Sequence, residues 1–193
     1  MKLRGLYAIT PEVPDAVEKV SLALQGGVAL LQYRRKRRDL AEARAVAALA
    51  RRHGVPLIVN DDVELALELE ADGVHLGRDD GDLGAARRRL GERILGASCY
   101  DDPGLARRAV QAGADYVAFG SVFASPTKPA AVRAPLALFA TRLGVPLCAI
   151  GGITLENAPL VLGAGADLLA VVTDLFDAPD IRARAAQYQR LLA

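Results

Sequence analysis

Little in this sequence points to thiol, metal-thiolate or triad chemistry. Its two cysteines, Cys99 and Cys148, lie far apart in apolar surroundings and in no CxxC or Cys/His spacing. Buried free thiols are therefore expected, not a disulfide or a zinc centre. No Ser/His/Asp constellation stands out. Neither sign of charge dominates, with 24 Lys+Arg against 23 Asp+Glu and a formal net charge of +1. Bulk charge thus favours neither nucleic acid nor a membrane surface, and any anion specificity is local. No stretch reaches about 18 uninterrupted apolar residues, and the opening MKLRGLYAIT runs into a strand-like pattern without the apolar region of a leader. The expectation is a soluble, cytoplasmic protein with no membrane partner. The basic run from Arg34 to Arg38 has only Tyr33 as an aromatic neighbour, so no nucleic-acid partner is expected. Arg35, Arg37 and Arg38 read as solvated or paired, and Arg87 to Arg89 as the exposed face of a helix.

What is present is one theme repeated. With 193 residues, 52% hydrophobic and 24% charged, the chain suits one full-sized core, and one catalytic domain over residues 1–193 is expected. Short runs rich in Val, Ile and Leu appear at GLYAI (5–9), VALLQY (28–33), PLIV (56–59), GVHL (73–76), RILGAS (93–98), DYVAF (115–119), LCAI (147–150) and DLLAVV (167–172). They recur roughly every two dozen residues, the spacing of βα units. Between them lie amphipathic patterns such as LAEARAVAALARRHG from Leu40 and PGLARRAVQAGA from Pro103, with apolar residues three and four apart. Gly54, Gly91, Gly113, Gly144 and Gly165 follow these stretches, where helix C-caps favour glycine. The strands are apolar along their length, as in a parallel sheet covered on both faces. A single closed (β/α)8 TIM barrel is the expected α/β fold, with an open doubly wound sheet as runner-up. Such barrels begin at roughly 200 residues, so compact loops are expected.

Barrel chemistry gathers at the C-terminal ends of the strands. Those ends deliver Gln32, Arg34 and Lys36, then Asn60, Asp61 and Asp62, then HLGRDD from His75 to Asp80. Later runs supply Ser98, then Ser125, Thr127 and Lys128, then Gly151 and Gly152, then Thr173. Carboxylates mixed with Lys, Arg and Asn suit a polyphosphate held with Mg²⁺, which takes one or two carboxylates beside phosphate oxygens while cations cover the remaining charge. AIGGIT and AVVTD fall in the last two loops, where barrels often bind a second phosphate on backbone N–H groups. Two phosphorylated small molecules and a transfer with pyrophosphate as leaving group are the expected chemistry. Simpler roles compete at several positions. Asp61 reads also as a cap for the helix near Val63, Asp79 as a cap or ion-pair partner, and His75 as a satisfied wall histidine. His53 is expected to be structural at a helix end, and Gly151 and Gly152 also suit tight turning alone.

The series LYAIT, LQYRRK, LIVNDDVELALELEADGVHLGRDD, ILGAS, ADYVAFGSVFASPTKP, VPLCAIGGIT and GADLLAVVT spans nearly the whole chain. Together these motifs resemble the thiamine-phosphate synthase family, also called thiamine-phosphate pyrophosphorylases. The resemblance implies a transferase that joins 4-amino-2-methyl-5-hydroxymethylpyrimidine diphosphate to a thiazole phosphate, or its carboxylate, and releases pyrophosphate with Mg²⁺. It implies Tyr7 and Gln32 beside the pyrimidine, and Arg34, Lys36, Asn60 and Lys128 on the diphosphate. Asp61 and Asp80 would hold Mg²⁺, with Ser98 at the pyrimidine or reacting centre. Ser125, Thr127, Gly152, Val172 and Thr173 would surround the thiazole phosphate. Arg34, Lys36, Ser98 and Lys128 are the residues it makes catalytic.

Two positions depart from the family pattern: Arg78 stands where glutamine is common, and Ser125 where some members have threonine. Arg78 is open to pairing with Asp79, contacting pyrophosphate or altering metal affinity. A related thiazole tautomerase is the first alternative; its relatives carry a histidine after strand five, where this chain has Cys99 and Tyr100. A non-catalytic, regulatory phosphate-binding barrel is the second. The sequence leaves open whether the chain forms a homo-oligomer and whether loop 124–135 acts as a lid.

Overall fold

The computed structural model describes residues 3–124 and 132–192. Eight strands form a closed parallel barrel in sequence order: β1 (Gly5–Ile9), β2 (Leu30–Tyr33), β3 (Leu57–Asn60), β4 (Gly73–Leu76), β5 (Ile94–Tyr100), β6 (Tyr116–Phe119), β7 (Leu147–Ile150) and β8 (Leu168–Val171). β8 returns to pair with β1, with Gly5 opposite Leu168 and Ala8 opposite Val171. The runs were apolar throughout because both strand faces are buried. Tyr7, Ile9, Leu30, Ile58, Tyr116, Ala118, Cys148, Leu168 and Ala170 pack together inside the barrel. Alternate residues such as Leu6, Leu31, Val59, Val117 and Leu169 pack outward with the helices, as period-two strands require.

Helices α1 (Ala16–Gly26), α2 (Leu40–His53), α3 (Val63–Glu68), α4 (Leu83–Leu90), α5 (Pro103–Gln111), α6 (Ala158–Ala164), α7 (Thr173–Phe176) and α8 (Ile181–Leu192) complete the units. α2 shows why the amphipathic pattern folds as it does. Asp39 accepts the Glu42 N–H at its start, Gly54 ends it at φ 64°, and Ala43, Val46, Ala47 and Ala50 form its buried face. Such small side chains let a helix lie close to the barrel, which suits a chain of this length. Two expectations need correction. Among the described residues β6 is followed by a short 3-10 helix, Leu136–Ala140, and not by an α-helix. Pro135 opens it, and Thr141 closes it by donating both its N–H and its hydroxyl to the Leu138 carbonyl. Gly144 therefore caps no α-helix and turns the chain toward β7 at φ 79°.

The barrel floor carries a repeated device. Asp72, Asp115 and Asp167 stand just before β4, β6 and β8. Each carboxylate accepts a backbone N–H of the preceding strand, from Leu57 at 2.8 Å, Leu95 at 2.7 Å and Leu147 at 3.0 Å. These bonds satisfy donors at strand starts and pin the register on which the opposite end depends. Arg87 is also more than surface: it binds the carbonyls of Gly91, Arg93 and Gly113 and pairs with Asp115. The sequence reading of Arg87 as merely an exposed helix face is overturned, because its guanidinium fills a socket of carbonyls between α4 and α5.

Candidate active site

The inward side chains nearest the strand C-termini make the floor of the site. Gln32, Asn60, His75 and Ser98 come from β2 to β5 in turn, with Asn60 level with His75 in the β3–β4 register. Four of the floor and wall groups join in one hydrogen-bonded chain with Tyr116. Gln32 Nε2 donates to Tyr7 Oη at 2.6 Å, and Tyr7 and Tyr116 hydroxyls meet at 2.8 Å. Tyr116 Oη lies 2.9 Å from His75 Nδ1, and His75 Nε2 lies 2.8 Å from Ser98 Oγ. Both ring nitrogens of His75 are thus engaged, the satisfied-wall reading of the sequence. Burial holds its imidazole down to about 4, against a smaller opposing pull from Asp80. Burial likewise pushes both tyrosine hydroxyls above their ordinary range, so the chain is neutral.

Above and to one side opens a cleft of about 610 Å³ lined by Lys36, Asn60, Asp61 and Asp80 together with Tyr33, Arg35, Arg38 and the start of α3. Asp61 sits at φ 63°, a left-handed conformation that aspartate tolerates better than most residues. Its N–H binds the His75 carbonyl, and the turn hands the capping role to its neighbour: Asp62 accepts the Leu65 N–H at 2.8 Å. Asp61 is therefore not the cap of α3. Its carboxyl accepts from Asn60 Nδ2 and is pushed up to about 6, first by loss of surrounding water and then by the adjacent Asp80 carboxyl. The Arg34 guanidinium acts in the opposite sense, and the structure brings Asn60, Asp61 and Asp80 together in the cleft with Lys36. Asp80 is fixed by the Gly77 N–H at 2.8 Å. Among the described residues no group of three or more Asp, Glu, His or Cys converges, and the donor set here is two carboxylates beside an amide. That set fits Mg²⁺, which keeps waters and takes the rest of its ligands from phosphate.

Around this cleft the basic run divides. Lys36 is exposed and pairs loosely with Glu12 at 3.7 Å, leaving its ammonium available to an anion. Arg35 is tied to Glu42 at 2.6 Å and Arg38 to Glu68, as paired residues. Arg34 is anchored through its backbone, which exchanges hydrogen bonds with the Thr10 hydroxyl. Asp82, and not Asp79, caps α4. Arg78 stacks over the Tyr100 ring at 4.7 Å, a partner outside the three alternatives that the sequence left open. Tyr100 is presented for this by a register shift between Ser98 and Tyr100 at the end of β5, a common use of bulges beside sites.

On the far side of the mouth Gly151 and Gly152 turn after β7 at φ 97° and 64°. A Cβ on Gly152 would fall on the Ala124 carbonyl, and one on Gly151 on Ser121. Both glycines are thus required by turning and by close packing against the loop after β6. Val172 and Thr173 open α7 after β8, and the short helix is held by Asp174, which binds the Leu155 N–H, the Tyr188 hydroxyl and Arg184. These residues lie apart from the cleft of the carboxylates. Ser125, Thr127 and Lys128, and most of the proposed lid, fall outside the described residues. Sequence reasoning missed Tyr116, whose place in the chain follows from strand parity, and Asp174, for which no signal stood out.

The fold and rim define a parallel (β/α)8 barrel with carboxylates and cations mixed at its mouth. The sequence profile described as thiamine monophosphate synthase matches residues 6–175, and the chain belongs to that family. It is 62% identical to the thiamine-phosphate synthase of Aromatoleum aromaticum, with 98% of this chain and 97% of that protein covered. The corresponding enzyme of Methylobacillus flagellatus is 53% identical over 98% of this chain and 95% of its own length. Among solved structures, thiamine phosphate pyrophosphorylase from Pyrococcus furiosus superposes with a TM-score of 0.88 at 33% identity, covering 99% of this chain and 96% of that one. A 3-hexulose-6-phosphate synthase superposes with a TM-score of 0.76 at 18% identity and shares the fold alone.

Proposed function

We propose that this protein is a thiamine-phosphate synthase acting on a pyrimidine diphosphate and a thiazole phosphate in the cytoplasm. The observation that carries the reading is the meeting of Asp61, Asp80, Asn60 and Lys36 in one cleft, beside a neutral floor ending in Gln32 and Ser98. Asp61 and Asp80 would hold Mg²⁺, which neutralises charge on the diphosphate when bound. Lys36 and Arg34 cover further charge on the leaving group, and Lys128 is assigned the same task from the sequence resemblance. In the reaction the bond between the pyrimidine methylene and the diphosphate oxygen breaks with its electron pair leaving on oxygen. The thiazole nitrogen lone pair then forms the new C–N bond, and the ring amino group stabilises the cation between these events. The protein supplies no nucleophile; it holds geometry and stabilises the departing charge. Gly152, Val172 and Thr173, with Ser125 and Thr127, are assigned to the thiazole phosphate.

The tautomerase alternative needs a general base after strand five. Cys99 there is buried and its thiol is pushed up to about 12, which disfavours that role. The test mixes purified protein with both substrates, with and without Mg²⁺, and follows thiamine phosphate and pyrophosphate together. Equal, Mg²⁺-dependent appearance of both products is expected. Ligand binding with no product would overturn the reading in favour of a regulatory barrel.

A further inference from the structure

The buried chain from Gln32 to Ser98 has a property that none of its members has alone. Its five groups come from β2, β1, β6, β4 and β5, so it crosses the barrel interior. Each hydroxyl owns one proton. With the Gln32 amide N–H on Tyr7, the arrangement that uses every hydroxyl proton has Tyr7 donating to Tyr116, and Tyr116 to His75 Nδ1. His75 then carries its proton on Nε2 and donates it to Ser98 Oγ, which leaves the Ser98 proton for a ligand. A second proton, on His75 Nδ1, would turn the links through Tyr116 and leave the Tyr7 proton without its acceptor, because Tyr7 Oη already takes the Gln32 N–H. Among the described residues no buried side-chain polar atom lacks a partner and no residue donates to Gln32 Oε1, so that oxygen is not sealed in the core and is offered to a ligand. The site thus offers an acceptor at Gln32 and a donor at Ser98. Reversing the chain swaps both characters together.

The barrel is built to hold this link. His75, Gly96 and Tyr116 are level with one another across β4, β5 and β6. Gly96 leaves the space that lets the two flanking rings stack at 5.5 Å, and a Cβ there would strike the Tyr116 phenol. Gly96 needs no unusual backbone conformation, so room for Tyr116 accounts for it.

We propose that Tyr116 is a positioning and specificity-determining residue, which couples Gln32 to Ser98 so that the site selects a 4-amino over a 4-oxo pyrimidine ring. This rests on the synthase reading for its substrate class. A 4-aminopyrimidine brings an amino donor on one edge and a ring-nitrogen acceptor on the opposite one, matching the chain as it stands. The 4-oxo ring presents an acceptor where the amino group was and requires the reversed chain.

Calorimetric titration with the 4-amino and 4-oxo pyrimidine diphosphates, without thiazole, tests this on wild type, Tyr116→Phe, Gly96→Ala and, as an outward-facing control on β6, Val117→Ala. Wild type is expected to prefer the amino ring by about 100-fold or more, since a site built for hydrogen bonding rejects mismatched partners strongly. Tyr116→Phe and Gly96→Ala are expected to lower that ratio to about 10-fold or less, by leaving Gln32 and Ser98 free to turn independently. Val117→Ala keeps the wild-type ratio. Tyr7→Phe breaks the adjacent link and replaces any variant that does not fold. A merely structural Tyr116 would weaken both ligands alike and leave the ratio unchanged, which overturns the proposal, as does a wild type that does not discriminate. Product formation by wild type with the thiazole added reports separately on the synthase reading.

Discussion

Aspartates at the two ends of this barrel live by different rules. At the bottom, Asp72, Asp115 and Asp167 each accept a strand N–H within 3.0 Å, so their charge is used by the fold. At the top, Asp61 and Asp80 crowd one another, and the Asp61 carboxyl holds its proton up to about 6. Charges that the fold leaves in mutual opposition need an outside partner, and residues with perturbed titration in a cleft are candidates for function. The same side chain serves the fold at one end and lines an open cleft at the other. The difference lies in what each carboxylate faces: a strand N–H at the bottom and, for Asp61 and Asp80 at the top, a second carboxylate.

The largest expected effect lies at the top. Asp61→Ala and Asp80→Ala should each raise the Mg²⁺ needed for half-maximal turnover and lower kcat/KM by about one to two orders of magnitude, as for loss of a charge-assisted contact. Relief of the opposed carboxylates is offset in Asp61→Ala by the left-handed φ of 63°, which suits alanine less, and in Asp80→Ala by loss of the Gly77 N–H acceptor, so each should lower the melting temperature slightly. Thr173→Ala should instead weaken the thiazole phosphate. Identical Mg²⁺ and substrate titrations for all three variants would erase the division of the mouth into two anion sites.

His75 belongs to the top by position and to the bottom by behaviour, and acid exposes this. The unfolded chain protonates this residue near 6.5 and the folded one near 4. The unfolded state therefore binds more protons across that window. The stability contributed by the neutral ring is fully present above pH 6.5 and is lost as pH falls toward 4, by up to about 3 kcal/mol. Urea midpoints at pH 7 and pH 4.5 should fall more steeply for wild type than for His75→Gln. Parallel curves would mean that other groups carry the acid response.

The bottom should answer in stability alone. Asp115→Ala removes the acceptor for Leu95 and the partner of Arg87, and should cost about 1–3 kcal/mol for the donor left behind. Turnover per folded molecule should stay at the wild-type value. A selective loss of turnover would show that the floor's register reaches the mouth more directly than packing implies.

Much of this arrangement was legible because a closed parallel barrel buries both faces of every strand, and burial writes itself as unbroken apolar runs. The strand ends followed to within about two residues, and with them Gln32, Asn60 and Ser98, since the last polar residue of an apolar run must lie at the mouth. What was hidden depends on neighbours distant in sequence. Between Asp61 and Asp62, composition cannot tell cap from ligand; the left-handed turn at Asp61 decides it. In DYVAF, Tyr116 reads as bulk until Gly96 on the next strand is seen to make its berth. The sixth unit looked like the others, yet Pro135 and Thr141 confine it to a short 3-10 helix.

Arg78 marks the edge of the contrast between paired and unpaired charge, and it should give the smallest effect. It stands beside Asp79 and Asp80, where a cation would be expected to answer the acidic pair, yet its guanidinium lies over Tyr100 at 4.7 Å. Its backbone N–H also approaches the Tyr100 hydroxyl, at 3.4 Å. An exposed cation–π contact contributes about 0.5–1 kcal/mol, enough to keep the side chain on the ring and away from the carboxylates most of the time. Arg78→Gln should therefore lower stability by no more than that amount and leave the Mg²⁺ dependence of turnover unchanged. A shift in that dependence in Arg78→Gln, absent in Tyr100→Leu, would show instead that the guanidinium leaves the ring to meet the diphosphate or to compete with the metal.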